Sequence, residues 1–335
     1  MSRPTPAETK LLICVWHWFT LWRPPADVAV HVRKRFPEMK VVHLPTYDHL
    51  ADEIGDTDIF VGWSLRPEQF KLARKLKWIH STAAGVGQLM YPELRQSGIT
   101  VTNASGIHTV AMAEHILGFL VALARRFPDA LRHQWQRKWA QQEIWDAQLR
   151  PRELQGQVLL IVGFGAIGHE LAKRVRPLGM RIWAVTRAGK GDTTLADRIL
   201  PASRLDEVLH EADYVVLAAP ETPETYHLIG QKQLQQMKPT AFLINVARGS
   251  LIDEVALVET LERRALAGAA LDVAEQEPLP SESPLWRLDN VFITPHISAV
   301  SEYLWDRETE LLLDNLDRWF AGRELRNLVD LQRGY

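Results

Sequence analysis

Arginine, glutamate and histidine side chains follow three apolar runs in the C-terminal half of the sequence. Arg248 comes after the first run, Glu277 lies in an acidic turn after the second, and His296 follows the third. If these runs are strands of an open parallel sheet, the side chains reach the edge where such sheets bind ligands. Arginine can hold a carboxylate, histidine moves protons near neutral pH, and a neighbouring carboxylate keeps it protonated. Each residue alone could be an ordinary loop residue, but together they predict a catalytic acid–base set.

A glycine-rich segment, G-F-G-A-I-G from Gly163 to Gly168, precedes these residues. It directly follows the apolar run Val158–Val162 and opens a helical pattern, and in that context the spacing predicts dinucleotide binding. The first glycine allows a tight turn, Gly165 lets the backbone approach a pyrophosphate, and the last lets helix and strand pack closely. The alternative is a glycine-rich turn that binds no ligand.

The end of the next apolar run indicates which dinucleotide would bind. NAD sites usually place an acidic residue about 20 residues past the fingerprint, where it holds the ribose hydroxyls. This sequence has Thr186, Arg187 and Lys190 there, and a hydroxyl with two cations suits a 2′-phosphate. Arg187 could also be a solvated loop residue, but the missing acid weakens the case for NAD. We therefore predict that NADPH is favoured and that NADH is possible.

Short apolar runs alternate with helical patterns along most of the chain, which predicts parallel sheets with crossover helices. The strands predicted in the first hundred residues are Lys10–Val15, Lys40–Leu44, Ile59–Val61, Trp78–His80 and Thr100–Thr102. The helices predicted between them are Asp27–Phe36, Pro67–Lys75 and Gln88–Gln96. The second series of predicted strands is Val158–Val162, Arg181–Val185, Tyr214–Ala218, Ala241–Asn245, Ala267–Asp272 and Val291–Thr294. Six strands in this pattern suit a doubly wound nucleotide-binding domain.

A nearly all-apolar helix is predicted over Thr109–Arg126, with Pro128 ending it. Its apolar character suggests burial between domains or subunits. The polar segment that follows carries Trp135, Trp139 and Trp145, and this density of tryptophans suggests contact with a second copy of the chain. An arm packed on its own domain is equally consistent with the pattern. We expect a homodimer.

Length and composition exclude several other classes of protein. At 335 residues the chain is too long for one core, so two domains are expected. A net charge of -2 disfavours nucleic-acid binding, and the single cysteine excludes an internal disulfide. The apolar stretch near the N-terminus contains bulky tryptophans and fits a strand better than a signal peptide. No membrane span and no metal-ligand spacing are found, and we expect a cytoplasmic protein.

Several specific motifs occur together in the order of one known family. They are G-F-G-A-I-G at 163–168, N-V-A-R-G at 245–249, L-D-V at 271–273 leading to Glu277-Pro278, and S-P-L-W at 283–286 leading to P-H-I-S at 295–298. In the N-terminal half, S-T-A-A-G-V-G at 81–87, Asn103 and A-E-H at 113–115 support them. Over essentially its whole length the chain resembles the D-isomer-specific 2-hydroxyacid dehydrogenases, in particular those like glyoxylate or hydroxypyruvate reductases.

The resemblance implies two Rossmann-like or flavodoxin-like α/β domains with parallel sheets and an active site in the cleft between them. Residues 1–104 with 300–335 would form the substrate domain, and residues 105–299 the dinucleotide-binding domain. The implied reaction is hydride transfer from NAD(P)H that reduces a small 2-oxo acid to a D-2-hydroxy acid. The alternative is a dinucleotide-sensing protein without turnover, like the co-repressors that share this fold.

The resemblance also implies roles for individual residues. Arg248 would bind the substrate carboxylate and carbonyl. His296 would donate the proton to the carbonyl oxygen, and Glu277 would keep His296 protonated. The backbone amides of Val86 and Gly87 would hold the carboxylate, although the family often has Asp or Asn where Gly87 stands. Asp272 would contact the nicotinamide amide. The candidate dinucleotide-binding residues are Gly163, Gly165, Ala166, Ile167, Gly168, Thr186, Arg187, Lys190, Val246, Ala247, Arg248, Asp272 and His296.

Overall fold

Parallel β-sheets form the centre of both structural units of this chain. The computed structural model describes residues 5–334. One unit holds the chain up to His108 together with the chain from Val300 onward, and the second holds Thr109–Ala299. The α/β class with parallel sheets is confirmed. The assignment of substrate and dinucleotide roles to the two units stays a prediction.

Five parallel strands in the order β2-β1-β3-β4-β5 form the sheet of the first unit. They are β1 (Lys10–Cys14), β2 (Lys40–Leu44), β3 (Ile59–Val61), β4 (Trp78–His80) and β5 (Thr100–Thr102). All five residues of β1 are buried, as expected of an apolar strand covered on both faces. Four of the strands have the predicted bounds, and β1 ends one residue before the predicted end.

Four helices accompany these strands, and two of the predicted helices are shorter than expected. The helices are α1 (Ala26–Arg35), α2 (Leu50–Glu53), α3 (Pro67–Phe70) and α4 (Pro92–Arg95). The prediction of helix over Pro67–Lys75 is wrong after Phe70, where the hydrogen bonds tighten into turns. The prediction of helix over Gln88–Gln96 is wrong in its first half. Tyr91 is extended there, with ψ 156°, because the residue before a proline avoids the helical region.

The second unit begins with three helices, α5 (Thr109–Ala124), α6 (Phe127–Trp135) and α7 (Gln141–Asp146). The predicted helix Thr109–Arg126 ends two residues early because Arg126 adopts a left-handed backbone with φ 59°. Pro128 does not end α5. It lies in the first turn of α6, where backbone N–H groups have no intrahelical acceptor, so the missing N–H of proline costs no hydrogen bond.

Seven parallel strands, in the order β12-β11-β10-β9-β6-β7-β8, form the sheet of the second unit. They are β6 (Val158–Val162), β7 (Arg181–Thr186), β8 (Arg198–Pro201), β9 (Tyr214–Leu217), β10 (Phe242–Asn245), β11 (Gly268–Leu271) and β12 (Val291–Ile293). The prediction of six strands missed β8, which is short and contains Pro201. Proline is tolerated there because β8 lies at the edge of the sheet.

Apolar side chains cover both faces of this second sheet. Val158, Leu160 and Val162 of β6 belong to one buried cluster, whereas Leu159 and Ile161 belong to the other. This alternation follows from the two-residue period of a strand. The helices α8 (Ala166–Val175), α9 (Gln231–Gln236) and α10 (Glu254–Glu262) lie between the strands in sequence. The buried residues of α5 pack in the core of this unit.

The chain then returns to the first unit through α11 (Leu304–Ala321). Leu312 and Leu316 of this helix pack in the same cluster as β1 and α1. Within residues 5–334, no helix is both long and apolar enough to cross a membrane.

Candidate active site

The glycine fingerprint forms the turn between β6 and α8. Gly163 has a φ of 96°, and a Cβ there would lie 2.5 Å from backbone atoms of Ala218 and Ala219. A Cβ on Gly168 would lie 2.8 Å from the Gly163 carbonyl oxygen, so the helix can approach the strand only without a side chain. Gly165 has no neighbour within 4 Å of its Cβ position. The turn therefore leaves open space in front of the α8 N-terminus, as a pyrophosphate site requires.

The loop after β7 brings a hydroxyl and two cations to the same edge of the sheet. The Thr186 hydroxyl accepts a hydrogen bond from the Lys190 amide at 3.1 Å and donates to the Lys190 carbonyl at 3.0 Å. These bonds close a tight turn that places the exposed Arg187 at its tip. Asp192 lies nearby, but its carboxylate accepts two hydrogen bonds from Thr194.

The loop after β10 holds Arg248. The buried Asn245 side chain donates to the Arg248 carbonyl at 2.8 Å and accepts from the Ala247 amide at 3.0 Å, so it fixes the turn from inside. Val246 and Ala247 are buried, whereas the Arg248 side chain is exposed. Its guanidinium Nη1 donates to the Ala247 carbonyl at 2.7 Å, which leaves the other N–H groups of the fork to face an anionic ligand.

Gly249 brings this loop against the loop after β11. A Cβ on Gly249 would fall on the backbone of Ala274 and Glu275. The arginine-bearing loop and the glutamate-bearing loop therefore touch through their backbones, and only glycine allows the contact. The sequence motif contains this glycine, but its partner could not be identified from the sequence.

Glu277 and His296 form a close pair at this edge. His296 Nδ1 donates to Glu277 Oε2 at 2.6 Å, and the other carboxylate oxygen accepts from the Ala274 amide at 3.2 Å. Burial raises the pKa of the Glu277 carboxyl. The hydrogen bond and charge of His296, with smaller effects from Ala274 and Arg248, outweigh it and bring the pKa below the ordinary 4.5. The side chains are 35% and 44% exposed, so Nε2 can reach a ligand.

Asp272 fixes the backbone that carries His296. Its carboxylate accepts hydrogen bonds from Thr294 Oγ1 at 2.5 Å and from the Ile297 and Ser298 amides at 2.9 Å. The His296 amide donates to the Asp272 carbonyl at 2.8 Å, and His296 has a left-handed backbone with φ 53°. The Asp272 carboxylate, expected to contact the nicotinamide, is fully enclosed by these partners. Its contact with the dinucleotide stays a prediction.

Val86 and Gly87 lie in the first unit, after β4. Val86 is buried, and Gly87 begins a 3₁₀ helix, Gly87–Leu89. The Asn103 side chain donates to the Ala84 carbonyl at 2.8 Å and so ties this loop to the end of β5. No atom lies within 4 Å of the Gly87 Cβ position, so packing does not demand glycine there. The substrate contacts of these two residues stay a prediction.

Comparison with known proteins relates the whole chain to one family. The family model for the D-isomer specific 2-hydroxyacid dehydrogenase, NAD binding domain, matches residues 117–298. A glyoxylate reductase from Thermofilum pendens is 35% identical over 98% of this chain and 95% of its own length. The chain belongs to the D-isomer specific 2-hydroxyacid dehydrogenase family.

Solved structures of this family have the same fold. The D-isomer specific 2-hydroxyacid dehydrogenase family protein from Aeromonas salmonicida aligns with a TM-score of 0.80 and 32% identity, over 97% of this chain and 99% of its own. The D-isomer specific 2-hydroxyacid dehydrogenase from Xanthobacter autotrophicus, in complex with NADPH and MES, aligns with a TM-score of 0.83 and 26% identity, over 98% and 100%.

Family membership settles the class of activity. The protein is an NAD(P)-dependent oxidoreductase of the CH–OH group that interconverts 2-oxo acids and D-2-hydroxy acids. No finding supports the alternative of a dinucleotide-sensing protein without turnover. Among residues 5–334, no cluster of three or more His, Cys, Asp or Glu side chains could hold a metal ion.

Sequence reasoning did not single out His115 as a site residue in this dehydrogenase. Its Nε2 donates to Thr294 Oγ1 at 3.0 Å, and Thr294 in turn donates to Asp272. Burial lowers the pKa of His115, so the ring is neutral near neutral pH. The residue thus extends the support of the His296 loop to α5. The A-E-H motif at 113–115 contained it, but nothing in the sequence indicated its partner.

Proposed function

We propose that this dehydrogenase reduces a small 2-oxo acid, glyoxylate among them, with NADPH as the preferred reductant and Arg248, Glu277 and His296 as its catalytic set. The observation that carries the proposal is the 2.6 Å hydrogen bond between His296 and Glu277. It lies beside Arg248 at the edge of a sheet that also carries the glycine turn. The relative from Thermofilum pendens, named a glyoxylate reductase, supports the choice of substrate.

The residues of the second unit fit a nicotinamide dinucleotide. The open space at Gly165 suits the pyrophosphate, and Ala166 and Ile167 begin the helix whose amides face it. Val246 and Ala247 would flank the dinucleotide at the next loop. When bound, the reduced nicotinamide supplies the hydride for the carbonyl carbon of the substrate.

His296 is proposed as the proton donor. The ionised Glu277 carboxylate accepts from Nδ1 and can balance the charge of an imidazolium, whose Nε2 presents the second proton outward. As negative charge develops on the carbonyl oxygen of the substrate, Nε2 donates that proton. Proton transfer at this position completes the hydroxyl group of the product.

Arg248 is proposed to hold the substrate by its carboxylate and to stabilise the charge that develops on the carbonyl oxygen. Its forked guanidinium can donate two parallel hydrogen bonds to a carboxylate. The amides of Val86 and Gly87 are proposed as further donors to the same carboxylate. Charge stabilisation of this kind often supplies a large part of the rate enhancement.

The preference for NADPH rests on the turn after β7. Arg187 and Lys190 are exposed cations, and the Asp192 carboxylate of the same loop accepts two hydrogen bonds from Thr194. A 2′-phosphate would gain charge-assisted hydrogen bonds there, whereas a ribose hydroxyl would lack its acidic acceptor. The complex of the Xanthobacter autotrophicus relative with NADPH supports this choice.

Steady-state kinetics with both dinucleotides test the proposal. We expect turnover of glyoxylate and a lower KM for NADPH than for NADH. In Arg187→Gln the KM for NADPH should rise by about tenfold, because one charged hydrogen bond is lost, while the KM for NADH stays unchanged. Arg263→Gln, at an exposed helix end, is the matched control. Equal KM values for the two dinucleotides would contradict the NADPH preference, and no turnover of any 2-oxo acid would contradict the proposed substrate class.

We also propose a homodimer. Trp135, Trp139 and Trp145 are 80%, 91% and 53% exposed on α6, α7 and the segment between them. Exposed aromatic side chains at this density are typical of protein interfaces.

A further inference from the structure

Two histidine–carboxylate pairs share the loop that follows β11. Glu277 accepts from His296, as described above, and Glu275 accepts from His227 Nε2 at 3.2 Å. Both histidines have a left-handed backbone, with φ 48° at His227 and 53° at His296. Such a backbone is unfavourable for a non-glycine residue and persists where surrounding contacts hold it. The proposed mechanism assigns no role to the pair of His227 and Glu275.

His227 is held firmly by its surroundings. Its amide donates to the Ser250 carbonyl at 2.8 Å, which ties it to the loop that carries Arg248. The Tyr226 ring stacks on the imidazole with ring centroids 4.0 Å apart and an angle of 15° between the planes. Two residues later, Ile229 forms a parallel bridge with Ile252. These contacts fix the position of the imidazole, so that Nε2 can hold the Glu275 carboxylate.

Glu275 is the point where three segments meet. Its side chain accepts from His227, and its amide donates to Glu254 Oε2 of α10 at 3.0 Å. Its backbone lies against Gly249, the position at which a Cβ would collide. The neighbouring Ala274 amide donates to Glu277. The position of the Glu277 carboxylate thus depends on how the backbone of residues 274 and 275 is held.

We propose that His227 is a positioning residue, which acts through Glu275 to hold the Glu277 carboxylate at hydrogen-bonding distance from His296. This inference rests on the proposed roles of Glu277 and His296. His227 fits this role, because it supplies a donor to the Glu275 side chain, while Glu254 of α10 accepts from the Glu275 amide. Without that donor, Glu275 loses its tie to the His227 segment and to the Arg248 loop, and the backbone of residues 274 and 275 can shift.

A pair of variants separates positioning from folding. His227→Leu removes the donor, whereas His227→Gln keeps an N–H donor, and both carry the same left-handed backbone cost. We expect kcat to fall about tenfold or more in His227→Leu, since small misplacements of catalytic groups have effects of this size. The KM for NADPH should stay unchanged, and His227→Gln should recover most of the loss. His210→Leu, at an exposed position of the same unit, is the control.

A spectroscopic measurement tests the inference independently of turnover. A proton in a short imidazole–carboxylate hydrogen bond gives a far-downfield NMR resonance. The resonance that is absent from the spectrum of His296→Gln is assigned to the Nδ1 proton of His296. We expect this Nδ1 resonance in the unmodified protein and in His227→Gln, and its loss or broadening in His227→Leu. If His227→Leu does not fold, Glu275→Leu, which removes the other partner, replaces it with the same expectations.

Two results would overturn the inference. The first is an unchanged resonance and kcat in His227→Leu, and the second is an equal loss of kcat in the Leu and Gln variants, which indicates backbone strain alone. If the unmodified protein turns over no 2-oxo acid, the proposed function fails, whereas the resonance still reports whether His227 positions the pair.

Discussion

At the scale of single residues, the Glu277 carboxylate connects the electrostatics of the site to its chemistry. Burial raises its pKa, but the hydrogen bond and charge of His296 outweigh burial and bring the pKa below 4.5. The carboxylate therefore stays ionised at neutral and mildly acidic pH. An ionised acceptor at Nδ1 is what a protonated imidazole requires.

The lowered pKa predicts how the stabilising effect of Glu277 depends on pH. The folded-state pKa of Glu277 lies below its unfolded-state pKa. At a pH above the unfolded-state pKa, the ionised carboxylate therefore stabilises the fold, and this effect disappears as the pH falls through the folded-state pKa. We expect the difference in unfolding free energy between the wild type and Glu277→Gln to shrink as the pH falls from about 5 through the folded-state pKa of Glu277. Urea unfolding at several pH values measures it, with Glu282→Gln as an exposed control. A difference that grows as the pH falls below about 5 would contradict the assignment.

The proximity of Glu277 and His296 could be predicted from the sequence, but the hydrogen bonds that hold their loops in place could not. Arg248, Glu277 and His296 each follow an apolar run, and the ends of parallel strands meet at one edge, so their proximity followed from the pattern. The enclosure of the Asp272 carboxylate depends on the path of the His296 loop through a left-handed residue. No local pattern marks such a path, because it is fixed by hydrogen bonds between segments distant in sequence.

At the scale of elements, the contact between two loops sets the geometry of the site. Gly249 lies directly against the backbone of Ala274 and Glu275, so the loops after β10 and β11 move as one. The Asn245 side chain holds the first loop and the Glu254 side chain holds the second. Arg248 and Glu277 keep their relative positions through this backbone contact.

We therefore expect Gly249→Ala to lower activity strongly, although the substitution adds only one methyl group. The added methyl group must push the two loops apart, and displacement of catalytic groups by about 1 Å can cost about a hundredfold in rate. Activity assays and thermal unfolding measure the effect. Gly118→Ala is the matched control, because nothing lies within 4 Å of that Cβ position in α5, and alanine there should stabilise the fold by about 0.5–1 kcal/mol. Equal activity of the two variants would show that the loop contact is unimportant.

Most strands could be predicted because short apolar runs between turn signals are typical of buried strands. The errors in the predicted helices and strands occur near prolines, whose structural effect depends on the neighbouring segments. Pro201 lies in an edge strand, Pro92 begins a helix that the pattern extended backward, and Pro128 starts α6. Whether a proline ends one element or begins the next depends on hydrogen bonds to neighbouring segments, which the local sequence does not contain.

At the scale of the whole molecule, the chain divides into two units, each with its own parallel sheet and core. The need for two units could be predicted from length alone, and the return of the C-terminal helix to the first unit was expected only from the family resemblance. The exposure of three tryptophans between residues 135 and 145 is unusual for a surface left open to water.

The exposed tryptophans predict an effect on assembly. If they form the interface of a homodimer, Trp139→Ser combined with Trp135→Ser should convert the dimer to a monomer, because aromatic side chains carry much of the binding energy of interfaces. Sedimentation velocity measures the mass of the wild type and the variant. Trp18→Ser, which removes a similarly exposed tryptophan from the first unit, should leave the dimer intact. A wild type that sediments as a monomer at all concentrations would contradict the proposal.

The most direct test of the central claim compares the wild type with His296→Gln in two measurements on the same protein samples. The kcat for glyoxylate reduction with NADPH should fall by about 10²–10⁴-fold, the usual contribution of a general acid. The Kd for NADPH, measured by fluorescence titration, should change little. A His296→Gln variant with the kcat of the wild type would contradict the assignment of His296 as proton donor.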